Sequence, residues 1–485
     1  MYTTRRLWGA VSLLLPFLTG GCGAGAPDSA DGLTLLPEAL SGASAPLAAK
    51  TMHPQLDAVS LHAASNRGGT PLILTGRNFA TGATVKIGGA LARSSVLSST
   101  TIALTVPALP GRCGAVPVRV ENPVGGADTR SDLFSYQGEF GYSDPLQYAV
   151  GSYANEIAVA DFNVDGHLDI AVSVSVGSQV SLLTGLGDGT FRPVRNINSG
   201  AVPLSIVTAD FNNDGNPDLA VSDAEKDGTG YMLLGNGHSV PGVPFKAPAA
   251  FSSLEYIDRL KSDDFNSDGK PDLLVLGDTS FGVLLGKGDG TFAAHLDVRR
   301  TERPWDATSG DLNGDGHPDV VVSNRGTNNV SVFLGKGNGT FTGGEDYPTD
   351  KSPIFLAIAD VNRDGKLDVI SGNALTISVL LGKGDGTVAA AKHYTATAHS
   401  LNDMAVRDLD GDGVLDAVVV DELGNLVNVL HGNGDGSFAA PQSFASGAVA
   451  NWLGIGDFDG DHRLDLAATS FTDPGSVAVL LRECM

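Results

Sequence analysis

The nine residues DFNSDGKPD, at positions 264–272, decide the fold of this chain. Asp264, Asn266 and Asp268 stand at positions 1, 3 and 5 of this stretch, a glycine stands at position 6, and Asp272 stands at position 9. Alternate positions of a tight loop direct their oxygens to one side, position 7 can add its backbone carbonyl, and such an oxygen-only set suits Ca²⁺. The alternative interpretation is an Asp-, Asn- and Gly-rich turn that stays solvated and binds no ion.

The stretch is one of seven related copies, which start at residues 161, 210, 264, 311, 360, 408 and 457. Successive copies are separated by 49, 54, 47, 49, 48 and 49 residues. Repetition at such a period indicates a repeat architecture. It also favours metal binding, because a solvated turn requires no fixed oxygen at positions 1, 3, 5 and 9 of every copy.

We therefore predict up to seven structural Ca²⁺ ions, each held by the residues at positions 1, 3, 5, 7 and 9, with position 7 contributing its carbonyl. His462 replaces the position-6 glycine in the last copy, where a backbone conformation that favours glycine is expected, so the seventh loop is predicted to bind most weakly. The predicted ligands are Asp161, Asn163, Asp165, His167, Asp169, Asp210, Asn212, Asp214, Asn216, Asp218, Asp264, Asn266, Asp268, Lys270, Asp272, Asp311, Asn313, Asp315, His317, Asp319, Asp360, Asn362, Asp364, Lys366, Asp368, Asp408, Asp410, Asp412, Val414, Asp416, Asp457, Asp459, Asp461, Arg463 and Asp465.

The order of segments between the loops is constant. A strand such as LDIAVSVS, a turn, a strand such as QVSLLTGLG, a GDGTF-like turn and a shorter strand lead into the next unit. Four strands per unit are typical of a β-propeller blade. The seventh unit stops after its third strand, whereas residues 138–151 match the end of a unit. We therefore predict an all-β chain whose residues 138–485 form a seven-bladed propeller, closed by a strand from the N-terminal side of the repeat.

At these loops the chain resembles the FG-GAP/VCBS repeat family, the calcium-binding propeller of integrin α subunits and of many bacterial surface proteins. The resemblance covers about residues 138–485 and implies calcium loops on one rim and, as in the integrin relatives, a ligand face on the opposite rim. Two departures are the longer segment GNGHSVPGVPF in the second unit and Val388 in place of the turn phenylalanine in the fifth.

Residues 53–137 alternate short apolar strands with turn signals, which predicts a small β-sandwich. The segment resembles the IPT/TIG family of immunoglobulin-like domains at Gly76–Phe79, Val85–Gly89, Thr105–Pro107 and Phe134–Tyr136. The resemblance implies an immunoglobulin-like fold and says little about a ligand, since such domains often serve as spacers.

The first 21 residues have the layout of a secretory signal, with Arg5 and Arg6 before a short apolar run. The sequence that ends at Cys22 resembles a bacterial lipobox, which predicts a lipid anchor on this cysteine and a position at the outer membrane or cell surface. The alternative is cleavage after Ala26 and free secretion. Residues 22–52 are rich in Ala, Gly, Ser and Pro and are predicted to be a flexible tether. A disulfide between Cys113 and Cys484 is possible, and two free thiols are the alternative.

The chain has 31 Lys and Arg against 55 Asp and Glu, which gives a formal net charge of −24. This charge argues against binding to nucleic acid or to anionic lipid headgroups. Seven divalent ions would bring the net charge to −10, so we attribute the acidic composition chiefly to metal ligation.

The connections on the rim opposite the metal loops are long and variable, which is typical of binding surfaces on a rigid scaffold. Arg and Trp are favoured at interfaces, and this chain is poor in both. The candidate ligand-binding residues there are Arg299, Arg300, Arg303, Trp305 and Arg325. Alternatively, the tryptophan packs between blades and the arginines pair with acids such as Glu302 and Asp306.

No catalytic motif such as H-E-x-x-H, G-x-S-x-G or a P-loop is present in the sequence. We therefore predict a non-enzymatic binding or adhesion protein of the cell envelope that recognises a glycan or a protein. Two alternatives remain: a polysaccharide lyase or hydrolase with acid and base residues at the propeller axis, and an architectural subunit of an envelope complex.

Overall fold

The computed structural model of the chain describes residues 53–109, 114–137, 140–226, 228–237, 244–253, 256–300 and 304–484. The predicted signal peptide and tether, with Cys22, lie outside these residues, as does Cys113. The described residues are all-β and include no helix, and thus none with the length and apolar character to cross a membrane. They form two units, one before Phe140 and one from Phe140 onward.

The first unit contains three sheets, with strand orders β1-β3-β7-β6, β10-β9-β4-β5 and β2-β11-β8. Residues alternate between buried and exposed along β3, β4 and β9, as expected for strands with one face on a core. The strands are β1 (Gln55–Val59), β2 (Ala63–Ser65), β3 (Pro71–Arg77), β4 (Thr84–Ile87), β5 (Ala90–Leu91), β6 (Arg93–Ser98), β7 (Thr101–Thr105), β8 (Gly114–Ala115), β9 (Val118–Glu121), β10 (Ala127–Arg130) and β11 (Ser135–Gln137).

Tyr136 closes the core of this unit. Its ring is buried and contacts Phe134 edge to face, with the ring centroids 5.4 Å apart. Its hydroxyl donates a hydrogen bond of 2.7 Å to the carbonyl of Pro107. The two aromatic residues and the T-V-P segment identified in the sequence therefore meet in the fold.

The second unit contains seven four-stranded antiparallel sheets. In the first six, the four strands are consecutive in the chain: β14 (Ala154–Ala160), β15 (Asp169–Val174), β16 (Gln179–Leu183) and β17 (Arg195–Asn198); β18 (Ile206–Ala209), β19 (Asp218–Ser222), β20 (Thr229–Leu233) and β21 (Ala249–Ser252); β22 (Arg259–Asp263), β23 (Asp272–Leu276), β24 (Ser280–Leu284) and β25 (Leu296–Arg300); β26 (Pro304–Gly310), β27 (Asp319–Asn324), β28 (Asn329–Gly335) and β29 (Phe341–Pro348); β30 (Phe355–Ala359), β31 (Asp368–Gly372), β32 (Thr376–Leu380) and β33 (Lys392–Thr395); β34 (Leu401–Arg407), β35 (Asp416–Asp421), β36 (Leu426–Leu430) and β37 (Gln442–Ala445).

The seventh sheet takes its fourth strand from the other end of the unit. Its first three strands are β38 (Leu453–Gly456), β39 (Asp465–Ser470) and β40 (Ser476–Leu480). The fourth is β13 (Leu146–Ala149), which pairs antiparallel with β40 from Leu146 opposite Val479 to Ala149 opposite Ser476. Beside this sheet, β12 (Phe140–Tyr142) pairs with β41 (Arg482–Cys484).

Neighbouring sheets are joined by hydrogen bonds near the aspartate loops. Among the described residues, five sheets (the first, third, fourth, fifth and sixth) have a glycine N–H in the turn after the third strand that donates to the carbonyl of loop position 2 in the preceding sheet. Gly290 N lies 3.0 Å from Phe211 O, and Gly339 N lies 3.0 Å from Phe265 O. The same bond of 3.0 Å joins Gly189 N in the first sheet to Phe458 O in the seventh.

The first strands of neighbouring sheets also contact one another, and β14 of the first sheet contacts β38 of the seventh. In three of the seven units, the residue five positions before the loop is acidic, and its side chain accepts a backbone N–H from the next sheet. Glu156 Oε2 lies 3.0 Å from Ile206 N, Asp306 Oδ2 lies 3.1 Å from Leu356 N, and Asp403 Oδ2 lies 2.8 Å from Leu453 N. These carboxylates therefore hold neighbouring sheets together.

Strand β13 covers the outer edge of β40 in the seventh sheet. Without it, β40 has an unpaired edge of five residues, and exposed edges recruit other chains. We expect a protein that begins at residue 151 to aggregate or to melt at a lower temperature than one that begins at Phe140. Size-exclusion chromatography and thermal melting measure this. Equal melting temperatures and a monomeric shorter protein would show that β13 is dispensable.

Candidate metal centres

Every aspartate loop connects the first and second strands of its sheet, and the second strand begins at the aspartate of position 9. Position 2 carries Phe, Leu or Val, and these side chains are at most 3% exposed in all seven loops. A buried apolar side chain thus fixes the start of each loop, and the strand pairing fixes its end. The polar positions 1, 3 and 5 lie between these two anchors.

Within the loops, side-chain oxygens accept backbone N–H groups in one constant pattern. In the third loop, Asp264 Oδ2 accepts from Gly269 N at 2.8 Å, and Asn266 Oδ1 accepts from Asp268 N at 2.9 Å. Asp268 Oδ1 in turn accepts from Lys270 N at 3.0 Å. All three bonds recur in the other six loops. A carboxylate oxygen has two lone pairs, so each can also serve a cation.

The aspartate at position 9 has a role that the sequence did not predict. In the third loop Asp272 is fully buried, its Oδ2 accepts from Phe265 N at 2.9 Å, and its Oδ1 accepts from Gly286 N at 2.7 Å. The equivalent two bonds are present in all seven loops. This carboxylate therefore ties the start of the loop to the turn after the third strand, and the two features lie at the same end of the sheet.

In the first six sheets the turn approaches the loop so closely that the bonded position has to be glycine. A Cβ on Gly286 would lie 2.1 Å from the carbonyl oxygen of Pro271, a distance that no side chain tolerates. Arg482 occupies this position in the seventh sheet, where its backbone N–H makes the bond to Asp465.

Two positions of each loop have a left-handed backbone. Position 6 is glycine in six loops, and His462 in the seventh has a φ of 66°. Position 4 is also left-handed in all seven loops, which was not predicted. It is glycine in three loops. In the other four, Val164, Asn213, Ser267 and Arg363 have φ between 57° and 60°. Non-glycine residues adopt this conformation at a cost, which the hydrogen bonds within the loop offset.

Burial raises the pKa of six of the position-9 carboxyls, those of Asp169, Asp218, Asp272, Asp319, Asp368 and Asp465. The pKa of Asp169 and Asp465 rises to about 7, and that of Asp218, Asp272 and Asp319 to about 6. The two backbone N–H groups oppose this effect, and the neighbouring loop aspartates add to it by repulsion. A divalent cation among these carboxylates would favour their ionised form.

The seventh loop has two nitrogen-bearing side chains against its aspartates. Arg463 Nη2 donates to Asp461 Oδ2 at position 5, and His462 Nδ1 lies 3.6 Å from Asp457 Oδ2 at position 1. One oxygen expected to bind metal therefore faces a guanidinium group, and another lies near an imidazole. In the third loop only the position-5 aspartate has such a partner, since Lys270 Nζ lies 3.2 Å from Asp268 Oδ2. This arrangement agrees with weaker metal binding in the seventh loop, which stays a prediction.

In the sixth and seventh loops the carboxylates lie closest together. Asp408, Asp410 and Asp412 offer oxygens within 4.8 Å of one another, and so do Asp457, Asp459 and Asp465. Both loops carry Asp at position 3, where the other five carry Asn. His431, which the sequence analysis did not consider, joins Asp410 and Asp416 in a third such group.

Of the five candidate ligand-binding residues, the structure brings two together. The guanidinium carbon of Arg325 lies 4.6 Å from the ring centroid of Trp305, and Arg325 Nε donates to Ser352 Oγ at 3.1 Å. Trp305 is 37% exposed, so it is not packed inside the fold. Arg303 and the side chains of Arg299 and Arg300 lie outside the described part of the chain.

The alternative pairing of these arginines with Asp306 does not hold for the described side chains. Asp306 is buried, bonds to Leu356 N, and lies 3.7 Å from the ammonium group of Lys261 through its Oδ1. Glu156 Oε1 lies 3.9 Å from the same ammonium group. Asp306 thus belongs to the interior of the unit.

The family comparison agrees with this architecture. FG-GAP-like repeats match residues 161–221, 264–322, 311–371, 360–419 and 408–468, which include all seven aspartate loops and more than half of the chain. An IPT/TIG domain matches residues 54–140. The chain belongs to the family of proteins built from FG-GAP-like repeats, with an IPT/TIG domain before them. None of the curated proteins matches the chain.

Among solved structures, an Agrocybe aegerita lectin described as recognising non-reducing terminal N-acetylglucosamine is 19% identical, with a TM-score of 0.46, over 76% of this chain and 95% of that one. An auxiliary nutrient binding protein from Bacteroides ovatus is 13% identical, with a TM-score of 0.38, over 89% and 98%. A putative phosphatase from Bacteroides thetaiotaomicron is 14% identical, with a TM-score of 0.37, over 88% and 97%. Likenesses this distant carry no argument about function.

The two roles of the loop aspartates can be separated by mutation. Asp272→Ala leaves two buried N–H groups without an acceptor, so we expect a loss of roughly 2–5 kcal/mol of folding free energy even without metal. Asp268→Ala removes an exposed side chain and is expected to cost less than about 0.5 kcal/mol without metal, but to reduce stabilisation by calcium. Urea denaturation in chelator and in calcium measures both. Equal losses without metal would contradict the assignment.

The raised pKa values predict an unusual pH dependence of the metal-free protein. Between about pH 4 and about pH 7 the folded state retains protons that the unfolded carboxyls have released, so stability should fall as pH rises through this range. Calcium binds the ionised form and should abolish or reverse the decline. Denaturation at about pH 5, 6 and 7.5, with and without calcium, tests this. Metal-free protein that gains stability towards neutral pH would contradict the expectation.

Proposed function

We propose that this chain is a non-enzymatic, calcium-stabilised binding or adhesion protein of the cell envelope. In this proposal the seven sheets are the blades of a propeller, and β13 closes the ring by completing the seventh blade. The observation that carries the proposal is the constant geometry of the seven loops. Each presents carboxylate or amide oxygens from positions 1, 3 and 5 around one left-handed turn, although the intervening residues vary.

Calcium in this role is a scaffold. Without cations, each loop crowds at least three carboxylates, and one of them is buried. Extracellular modules bind Ca²⁺ with dissociation constants of roughly 0.1–1 mM. At about 1 mM calcium and a dissociation constant of about 0.1 mM, each loop would add about 1.4 kcal/mol to the stability of the fold. Several such terms are comparable with the net stability of a whole domain.

The binding surface is proposed to be the rim opposite the loops, formed by the connections from second to third strands and from fourth to first strands. Trp305 and Arg325 lie there, stacked and accessible. An exposed indole beside a planar guanidinium can stack on a sugar ring and bond its hydroxyls or a carboxylate. This pair supports a glycan or a protein as the ligand.

Export and anchoring are proposed from the sequence of residues 1–22. In this proposal the signal peptide is removed, Cys22 carries a lipid, and residues 22–52 connect the anchor to the two folded units at the outer membrane or cell surface. Free secretion is the alternative. The acidic composition supports an extracytoplasmic calcium protein and argues against nucleic acid as a partner.

The enzymatic alternative would place acid and base residues along the first strands. Among the described residues of these strands the acidic side chains are Glu156, Asp263, Asp306 and Asp403. Three of them accept a backbone N–H from the next sheet, and Asp263 accepts the hydroxyl of Ser309 at 2.7 Å. Their engagement in the scaffold supports the non-enzymatic proposal. The architectural alternative would use the same exposed rim as a subunit interface.

A calcium titration followed by thermal melting tests the scaffold. We expect the melting temperature of the chelated protein, from residue 51 onward, to rise steeply through the millimolar range of calcium and to rise less with magnesium, which requires a stricter octahedral geometry. An unchanged melting temperature would mean that the seven loops are solvated turns.

A glycan array tests the binding surface. If the opposite rim is a lectin site, Trp305→Ala and Arg325→Ala should each weaken binding at least about tenfold, as expected for residues at the centre of an interface. Leu423→Ala is the matched control, because this side chain is 70% exposed in the connection between β35 and β36 on the same rim. Binding that survives both substitutions would show that the glycan site lies elsewhere. The absence of any glycan ligand would favour a protein partner.

A further inference from the structure

The sixth loop contains a nitrogen ligand that the other loops lack. His431 immediately precedes the glycine whose N–H bonds to the position-9 aspartate Asp416. The other six units carry Thr or Leu at this place: Thr184, Leu234, Leu285, Leu334, Leu381 and Leu481. The sixth loop also carries Asp410 at position 3, where five loops carry Asn. Two departures from the repeat therefore fall on the same site.

The three side chains converge on one point. His431 Nδ1 lies 3.4 Å from Asp410 Oδ2 and 3.3 Å from Asp416 Oδ1, and all three ligand atoms lie within 4.8 Å of one another. These separations are long for charge-assisted hydrogen bonds, which are about 2.7–2.9 Å. In a tetrahedral site with metal–ligand bonds of about 2.0–2.2 Å, two ligand atoms lie about 3.3–3.6 Å apart, and the two separations match this distance.

From this geometry we propose that Asp410, Asp416 and His431 form a transition-metal site, for which Zn²⁺ is the fitting ion. The imidazole nitrogen is a borderline ligand that suits first-row transition ions, and carboxylates complete many such sites, whereas Ca²⁺ prefers six to eight oxygens. The proposal goes beyond calcium as a scaffold and does not depend on calcium in the remaining loops.

The surroundings hold the ligands in place and leave the site accessible. Asp416 is buried and fixed by the N–H groups of Leu409 and Gly432. The ring of Phe140 meets the imidazole edge to face at 4.5 Å, which sets the orientation of the imidazole. The side chains of Asp410 and His431 are 27% and 28% exposed, so an ion can enter and a water molecule can complete its coordination.

Cobalt is the probe, because Co²⁺ adopts the same sites as Zn²⁺ and its visible absorption reports nitrogen ligands and low coordination numbers. The full chain from residue 51, in about 1 mM calcium to occupy the oxygen-only loops, is titrated with Co²⁺. We expect one equivalent to bind with the intense absorption of a four- or five-coordinate site, and Zn²⁺ to displace it. No binding, or only the weak absorption of six-coordinate oxygen sites, would overturn the proposal.

Three variants complete the test. His431→Leu installs the residue most common in the other units, and Asp410→Asn installs the usual position-3 residue. Each is expected to weaken Co²⁺ binding at least about 10–100-fold, the loss seen when even supporting groups of metal sites are removed. His399→Leu is the control, because its Nδ1 also meets a buried carboxylate, Asp421, at 2.9 Å, but is in no three-ligand group among the described residues.

Calcium-dependent melting of each variant shows whether it is folded and separates this proposal from the scaffold proposal. Retained stabilisation by calcium in His431→Leu, together with lost Co²⁺ binding, supports the transition-metal site alone. Equal Co²⁺ binding by the wild type and His431→Leu would mean that the imidazole only forms a charge pair with its aspartates. Cobalt binding without any calcium effect would leave this site standing and contradict the scaffold.

Discussion

A buried carboxylate that accepts two backbone N–H groups organises each sheet of the second unit. The aspartate at position 9 joins the start of its loop, the first residue of the second strand and the turn after the third strand. In the third sheet the start of the loop lies 7 residues before the aspartate and the bonded turn lies 14 residues after it, and the two bonds hold these segments at one end of the sheet. Positions 1, 3 and 5 acquire their geometry because both ends of the loop are held. The glycine hydrogen bonds between neighbouring sheets join the same turns and loops, so they also depend on this carboxylate.

The same carboxylate introduces an electrostatic cost, because burial and its acidic neighbours disfavour the ionised form. The backbone N–H groups offset part of this cost, and a divalent cation would offset more. A cation bound in this way would couple the stability of the fold to the ions around it. The seventh loop, with Arg463 against Asp461, reduces the same repulsion with a side-chain cation. Two kinds of group can therefore reduce the repulsion among the loop carboxylates: a bound divalent cation, or a cationic side chain such as that of Arg463.

Much of this organisation is predictable from the sequence because it repeats. The loop pattern, the four strands per unit and the assignment of β13 to the seventh sheet all follow from comparing one unit with another. The residues that were missed act between units or outside the motif. The side chains five residues before the loops are Glu156, Ser205, Arg259, Asp306, Phe355, Asp403 and Trp452, and no pattern predicts them, because a backbone N–H can donate to any nearby acceptor. His431 was not predicted as a ligand, because two strands separate it from Asp416 in the sequence. A comparison of the units would have pointed to it, since the other units carry Leu or Thr at this place.

The pairing of β13 with β40 also determines when this unit can finish folding. Strand β13 is among the first segments of the unit to be synthesised, whereas its partner near Val479 is among the last. The earlier sheets are built from consecutive strands and can form as the chain emerges, since their contacts are local. The seventh sheet must await both ends, so its formation closes a loop of nearly the whole unit and is entropically expensive. Until that moment β40 has no outer neighbour and β13 has no sheet. A growing chain therefore exposes the unpaired strand β13 while the earlier sheets are synthesised, and a protein that shields this strand during that interval would protect the chain from association with its own copies.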